Sequence, residues 1–111
     1  MAVRKIVFFG DYFEKAYRQW EASAKLKCDY ILKLIAELER IPAKFIKKME
    51  GSEGIYEIRI TEGGSSIRIF CLFDENNMIV LLNAFQKKSR KTPKNELVLA
   101  ENLRQRYLLE K

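Results

Sequence analysis

The chain has 111 residues, 48% of them hydrophobic and 32% charged, a composition that indicates one soluble globular domain over residues 1–111. A net charge of +6 favours a polyanionic partner. The lack of histidine and of a CxxC pair argues against a zinc site. No apolar run is long enough for a signal peptide or a membrane span, so we expect a cytoplasmic protein with no membrane partner.

The first two predicted elements are a strand over Val3–Phe9 and a helix that follows Gly10. β-Branched and aromatic residues favour the strand. Asp11 and Glu14 have the spacing of a capping box, which would satisfy backbone donors at the start of the helix. Four residues then have the spacing of one helical face and predict a buried stripe: Phe13, Ala16, Tyr17 and Trp20. The alternative role of Trp20 is to stack on a nucleic-acid base.

A second helix is predicted from a cap at Ser23 to Ile41, because Pro42 cannot continue it. Its apolar stripe is Cys28, Ile31, Leu34, Ile35, Leu38 and Ile41. The other faces carry the charged residues Lys25, Lys27, Lys33, Glu37, Glu39 and Arg40. The short connection between the two helices predicts an antiparallel hairpin. Two buried thiols, rather than a disulfide, are expected of Cys28 and Cys71.

Three strands joined by tight turns follow. Residues 43–49 are ambiguous between a helical turn and an extended approach to the sheet. Period-two alternation and turn residues at 51–54, 63–65 and 74–77 predict the strands Ile55–Ile60, Ser66–Phe73 and Met78–Phe85. Consecutive strands connected in this way predict an antiparallel meander. Glu57 and Arg59 project from the same face of its first strand.

The last strand leads into a basic segment. Its apolar run Ile79–Leu82 is typical of a buried strand, and five basic residues with no acid among them come next: Lys87, Lys88, Arg90, Lys91 and Lys94. A strand that carries cations at its end suits a phosphate-binding site, and the alternative is a solvated basic turn.

A final helix is predicted from about Pro93 to Leu108, because Thr92 can cap it and proline suits its first position. Its inner stripe is Leu97, Ala100, Leu103 and Tyr107. The order of elements is strand, helix, helix, three strands and helix. This order predicts a small α+β domain, in which the helical hairpin packs on one face of an antiparallel sheet and a C-terminal helix follows.

Three blocks of sequence occur in an order that is hard to reach by chance: Met49–Arg59 (MEGSEGIYEIR), Ile67–Phe70 (IRIF) and Leu81–Pro93 (LLNAFQKKSRKTP). Together they resemble the RelE/HigB superfamily of toxins, and in particular its HigB-like, phage-derived branch. The resemblance covers nearly the whole chain and implies a RelE/ParE-like fold. It also implies the toxin half of a type II toxin–antitoxin pair, whose partners are messenger RNA on the ribosome and a cognate helix-turn-helix antitoxin.

The chemistry implied by the resemblance is RNA cleavage. In such endoribonucleases the 2′-hydroxyl of the RNA attacks the neighbouring phosphate in line. Cations stabilise the charge that builds on the phosphate oxygens and on the leaving 5′-oxygen, so neither a metal nor another cofactor is expected. Members of the family are known for using lysine, arginine and tyrosine in place of a histidine pair.

The resemblance assigns the catalytic roles to Arg68, Arg59, Lys87 and Lys88. Arg68 is expected to clamp the phosphate by bidentate geometry, with Arg59 as a second phosphate ligand. Lys87 or Lys88 is a candidate general acid or a further clamp. The remaining predicted substrate contacts are Tyr56, Glu57, Arg90 and Lys91.

Some positions of this sequence differ from the family pattern, and others can be interpreted in two ways. Tyr56 could stack on a base or pack in the core, and its strand face favours the core. Glu57 stands where some relatives carry lysine, so it is either the general base or a salt-bridge partner. The tyrosine that some relatives place after the last strand is replaced here by Thr92-Pro93, and Tyr107 is too far along the helix to be assumed equivalent.

Two other functions stay open at this point. The chain could be a non-catalytic member of the fold, whose basic surface binds only an antitoxin or nucleic acid. It could also resemble ParE, a toxin that poisons gyrase without cutting RNA. The basic residues at positions 59, 68, 87 and 88 favour cleavage over the gyrase hypothesis.

Overall fold

The computed structural model describes residues 2–111, which form a five-stranded sheet and three helices. In chain order the elements are β1 (Lys5–Phe8), α1 (Tyr12–Arg18), α2 (Ala22–Glu37), β2 (Ile46–Lys48), β3 (Tyr56–Glu62), β4 (Ser65–Asp74), β5 (Met78–Gln86) and α3 (Lys94–Glu110). The predicted α+β class is confirmed, and the predicted elements occur in the predicted order, with one further strand, β2, between α2 and β3. None of the helices in residues 2–111 is long and apolar enough to span a bilayer.

The strand order in the sheet is β1-β5-β4-β3-β2. β3, β4 and β5 form the predicted antiparallel meander. The ambiguous residues 43–49 supply β2, which pairs antiparallel with β3. The expectation of a wholly antiparallel sheet is wrong at one edge, because β1 pairs parallel with β5. Hydrophobic alternation defines the faces of a strand but does not specify which strand it pairs with.

Two hydrophobic cores lie on opposite faces of the sheet, because successive residues of a strand point to opposite sides. The first core lies between the sheet and the α1–α2 hairpin and contains the whole first predicted stripe, including Trp20, which is 8% exposed. It also contains most of the second stripe, but not Leu34 or Leu38, and Leu38 is 38% exposed. Cys28 and Cys71 belong to this core as free thiols, as predicted. The second core lies beneath α3, where Ala100 and Leu103 of the predicted inner stripe are buried.

The ends of the first two helices differ from the predicted ones. The capping box at the start of α1 is wrong, because the carboxylate of Asp11 pairs with Lys15 at 3.3 Å and that of Glu14 with Arg18 at 2.5 Å. These pairs join residues four apart on the exposed helix surface, where they compete with the cap. The predicted cap at Ser23 is also wrong, since α2 already includes this residue.

α2 ends at Glu37, earlier than the predicted end at Ile41. The Arg4 guanidinium lies at this end and donates hydrogen bonds of 2.5–2.9 Å to three carbonyls: Ile35, Leu38 and Glu39. Carbonyls in the last turn of a helix have no partner within the helix. A residue distant in sequence therefore satisfies this helix end, whereas proline only marks where the helix can no longer continue.

α3 is anchored to the sheet at both ends. Near its start, Asn83 Nδ2 of β5 donates to the Glu96 carbonyl and to Glu96 Oε1, both at 3.0 Å. At its end, Asp74 accepts hydrogen bonds from the Tyr107 hydroxyl and from Lys111 Nζ, the latter at 2.7 Å. α3 therefore covers the part of the second face between Asn83 and Asp74, and it leaves the Ser66–Arg68 end of that face open.

Candidate nucleic-acid site

Three charged side chains of β3 and β4 lie together on the open end of the sheet. Arg59 and Arg68 are directly opposite each other in the antiparallel pairing, and Glu57 precedes Arg59 by two residues, so all three share one face. Glu57 Oε1 lies 3.5 Å from Arg59 Nε and 3.7 Å from Arg68 Nε. One carboxylate therefore bridges two guanidinium groups that would otherwise repel each other across the strands.

Glu57 is the most buried member of this cluster. Its side chain is 4% exposed, compared with 11% for Arg68 and 38% for Arg59. Its second oxygen, Oε2, is also buried and has no hydrogen-bond partner among residues 2–111. Because a hydroxyl of RNA cannot contact a buried oxygen, the geometry favours the salt-bridge partner over the general base, the two roles that the sequence left open.

Arg68 is held in a poorly hydrated position. Its Nη1 donates to the Ile67 carbonyl at 3.0 Å. Burial lowers the pKa of Arg68, the negative charge of Glu57 opposes that shift, and the positive charge of Arg59 adds to it. A guanidinium nevertheless keeps its charge in proteins and has five N–H donors. Arg68 can therefore offer remaining donors to an anion in surroundings where the attraction is weakly screened.

The basic segment forms a loop between β5 and α3, as predicted. Lys87 N donates to the Ser66 carbonyl at 2.6 Å and extends the pairing of β5 with β4. Lys87 is half-buried, whereas Lys88, Arg90 and Lys91 are exposed. The predicted Thr92 cap is wrong, because α3 begins at Lys94 and residue 93 occupies the N-cap position. The pairing of β5 with β4 holds the beginning of the loop, and the start of α3 holds its end, so the position of the loop on the sheet is fixed.

Two clefts share Arg68. The loop cleft, of about 480 Å³, is lined by Ser66, Arg68, Lys87, Lys88, Ser89 and Arg90. The edge cleft, of about 400 Å³, is lined by Lys27, Ile31, Lys44, Phe45, Arg59, Thr61 and Arg68. Seven basic side chains line the two clefts, and no acidic residue in the range 2–111 does so. Positive charge is therefore concentrated on one surface, as binding to a polyanion requires.

The clefts bring together five of the residues predicted from sequence: Arg59, Arg68, Lys87, Lys88 and Arg90. Lys91 follows in the same loop, where its carbonyl accepts a hydrogen bond of 3.2 Å from Ser89 Oγ. Tyr56 lies on the opposite sheet face, packed on the first core, with its ring centre 4.8 Å from that of Phe73. Tyr107 bonds to Asp74 at the far end of the sheet, away from both clefts.

Two basic lining residues, Lys27 and Lys44, were not predicted as part of the site. The pairing of β2 with β3 ends at Ile46 and Ile58, and one further hydrogen bond of 2.8 Å runs from Arg59 N to the Phe45 carbonyl, so the edge of the sheet opens only beyond Arg59. Lys27 of α2 and Lys44 of the segment before β2 border this opening. The one sequence signal was the position of Lys27 beside Cys28, at the margin of the apolar stripe. In the part of the chain that the structure covers, no three acidic or cysteine side chains form a group that could hold a metal.

Comparison with known proteins identified a matching sequence family and similar solved structures. Residues 15–105 match the sequence family described as "Phage derived protein Gp49-like (DUF891)". The fold is similar to that in the crystal structure of the archaeal RelE–RelB complex from Pyrococcus horikoshii OT3, with a TM-score of 0.58 and 16% sequence identity. That similarity covers 80% of this chain and 99% of the Pyrococcus chain, and it establishes the fold alone. No curated protein matched the sequence.

Proposed function

This chain belongs to the phage-derived Gp49-like family and has a RelE-like fold, and we propose that it is the toxin of a type II toxin–antitoxin pair that cleaves messenger RNA on the ribosome. The observation that supports this most is the position of Arg68 in both basic clefts, with Arg59 opposite it and Lys87 and Lys88 beside it. A phosphate bound at Arg68 would be attracted both by the cations of the edge cleft and by those of the loop cleft.

The RNA supplies its own nucleophile in this proposal. The 2′-hydroxyl gives its proton to a solvent water as its oxygen attacks the adjacent phosphorus, the bond to the 5′-oxygen breaks, and the 5′ fragment keeps a 2′,3′-cyclic phosphate. Arg68 and Arg59 stabilise the negative charge on the phosphoryl oxygens, and removal of one such donor typically costs about 10²- to 10³-fold in rate. Lys87 or Lys88 gives a proton to the leaving 5′-oxygen. We do not assign the base to Glu57, since its free oxygen is buried.

A cognate antitoxin is the proposed protein partner. The similar Pyrococcus protein was solved as a RelE–RelB complex, which supports the idea of a protein that binds and silences this one. The sequence resemblance further suggests a helix-turn-helix antitoxin. Co-purification of the two proteins from cells that express both genes would test this partner.

The cleavage itself can be tested in cells that express this chain alone. Primer extension on cellular transcripts should reveal cuts in phase with codons. These cuts should vanish for Arg68→Ala and persist for Arg18→Ala, which removes an exposed arginine of α1. Cuts that are unchanged in Arg68→Ala would contradict the proposed site. Intact transcripts together with stalled DNA replication would contradict RNA cleavage and favour a gyrase poison.

A further inference from the structure

We propose that the edge cleft is a second nucleotide-binding site, which holds the sugar–phosphate unit next to the one at Arg68. The proposal rests on the proposed function and deepens it. It makes Lys27 and Lys44 substrate-binding residues, although neither lies on the strands or the loop that carry the predicted catalytic residues.

The edge cleft collects positive charge from three separate segments. Lys27 comes from α2, Lys44 from the segment before β2, and Arg59 from β3. No acidic side chain of residues 2–111 lines the cleft. Glu57 lies beside Arg59 but is only 4% exposed, so it does not present its charge to the cleft. An anion in the cleft therefore faces cations from several directions without a competing carboxylate.

The size and lining of the edge cleft suit a nucleotide. Its volume of about 400 Å³ lies within the range of about 300–1,000 Å³ that is typical of small-molecule sites. Half-buried Phe45 adds an aromatic wall, and Lys44 Nζ lies 5.0 Å from the centre of its ring. Single-stranded nucleic acid is commonly bound by this combination of cations for the backbone and an aromatic surface for the base.

Arg68 lines both the edge cleft and the loop cleft. A single strand whose central phosphate lies at Arg68 would therefore extend into the loop cleft on one side and into the edge cleft on the other. A strand too short to reach the edge cleft would not sense Lys27 or Lys44. Dependence on strand length thus separates a binding subsite from a general effect of net charge.

The experiment uses fluorescence anisotropy with uncleavable 2′-O-methyl RNA, as a dinucleotide and as a dodecamer, at several salt concentrations. The full-length protein is compared with a Lys27→Gln/Lys44→Gln variant. The matched control is Lys33→Gln/Lys48→Gln, which removes two exposed lysines from α2 and β2 and changes the net charge equally. Cleavage of messenger RNA on programmed ribosomes by the wild-type protein is measured in parallel.

We expect the Lys27→Gln/Lys44→Gln variant to bind the dodecamer about tenfold more weakly at 0.15 M salt. The slope of log K against log salt should become shallower by about 0.7, since the edge cleft holds one phosphate and each phosphate contact of a single strand contributes about 0.7. Dinucleotide binding and the control variant should be unchanged. Equal loss in the control would overturn the inference, because net charge alone would then explain the result.

Dodecamer binding that is unaffected by Lys27→Gln/Lys44→Gln would also overturn the inference, and wild-type cleavage would then show that the proposed function survives. If poly-glutamate binds more tightly than RNA, and this binding depends on Lys27 and Lys44, the cleft belongs to an acidic protein and the inference is wrong. A wild-type protein that cleaves no RNA would instead contradict the proposed function.

Discussion

At the scale of single residues, one carboxylate holds the two arginines of the candidate site in place. Glu57 Oε1 lies within 3.7 Å of both Nε atoms, and its side chain is 4% exposed. When one member of a buried ion cluster is removed, the remaining charges lose their partner in poorly hydrated surroundings. Here the remaining pair would be Arg59 and Arg68, which are opposite each other across β3 and β4.

Glu57→Gln should therefore lower the free energy of unfolding by roughly 1–3 kcal/mol, a modest value because Arg59 is 38% exposed. Urea denaturation measures this change. The variant should still cleave RNA, and the pH dependence of its rate should match that of the wild type, because Glu57 positions the arginines. If the variant loses the ascending acidic limb of the pH–rate profile, Glu57 is the general base and this interpretation is wrong.

At the scale of secondary-structure elements, contacts distant in sequence decide where α2 stops and how α3 is fixed. Arg4 donates to three carbonyls at the end of α2, and Asp74 accepts from two side chains at the end of α3. Both contacts join a helix end to residues more than 30 positions away, so no local capping signal could reveal them.

Arg4→Ala should destabilise the protein by about 1 kcal/mol, because the last carbonyls of α2 lose a charged donor on a largely exposed surface. Arg40→Ala, near the same helix end, is the matched control and should be nearly neutral. Amide hydrogen exchange should also speed up in the last turn of α2 in Arg4→Ala alone. Equal stability of the two variants would contradict the assigned role of Arg4.

The end of α3 should respond to acid. Hydrogen bonds from Lys111, Tyr107 and the Glu75 backbone lower the pKa of Asp74 from its usual 3.8 to about 2. Because the pKa of Asp74 is lower in the folded than in the unfolded protein, its ionised carboxylate stabilises the fold. This stabilisation is complete above about pH 4 and is lost as the pH falls through about 2. The melting temperature of Asp74→Asn should therefore lie below that of the wild type at pH 6, and the gap should close between pH 4 and pH 2. A constant gap would refute this account.

Short-range signals made much of the fold predictable. The turn at Gly63-Gly64 places Glu62 opposite Ser65, and this register alone puts Arg59 opposite Arg68. The central arginine pair thus followed from the sequence once the hairpin was recognised. The parallel pairing of β1 did not follow, because a short apolar strand fits several partners. The edge cleft could not be predicted either, since it depends on where β2 ends and how α2 lies over the sheet edge.

At the scale of the whole molecule, α3 and the basic loop divide one sheet face into a covered half and an open half. α3 covers the end near Asp74, and the seven basic side chains of the two clefts surround the end near Arg68. Seven of the 21 basic residues of the chain, with no acidic residue of the described range 2–111 lining the clefts, therefore lie where a phosphate chain could bind. The account depends on one central claim, that cations from separate segments act together on a single phosphate at Arg68.

The most direct test is the single-turnover rate at which the purified protein cleaves a defined messenger RNA on programmed ribosomes. We predict that Arg68→Ala lowers this rate by about 10²- to 10³-fold, and that Arg68→Lys, which keeps the charge but loses the bidentate fork, lowers it less. Circular dichroism and thermal melting of each variant verify that it is folded. A folded Arg68→Ala protein that cleaves at the wild-type rate would contradict the central claim.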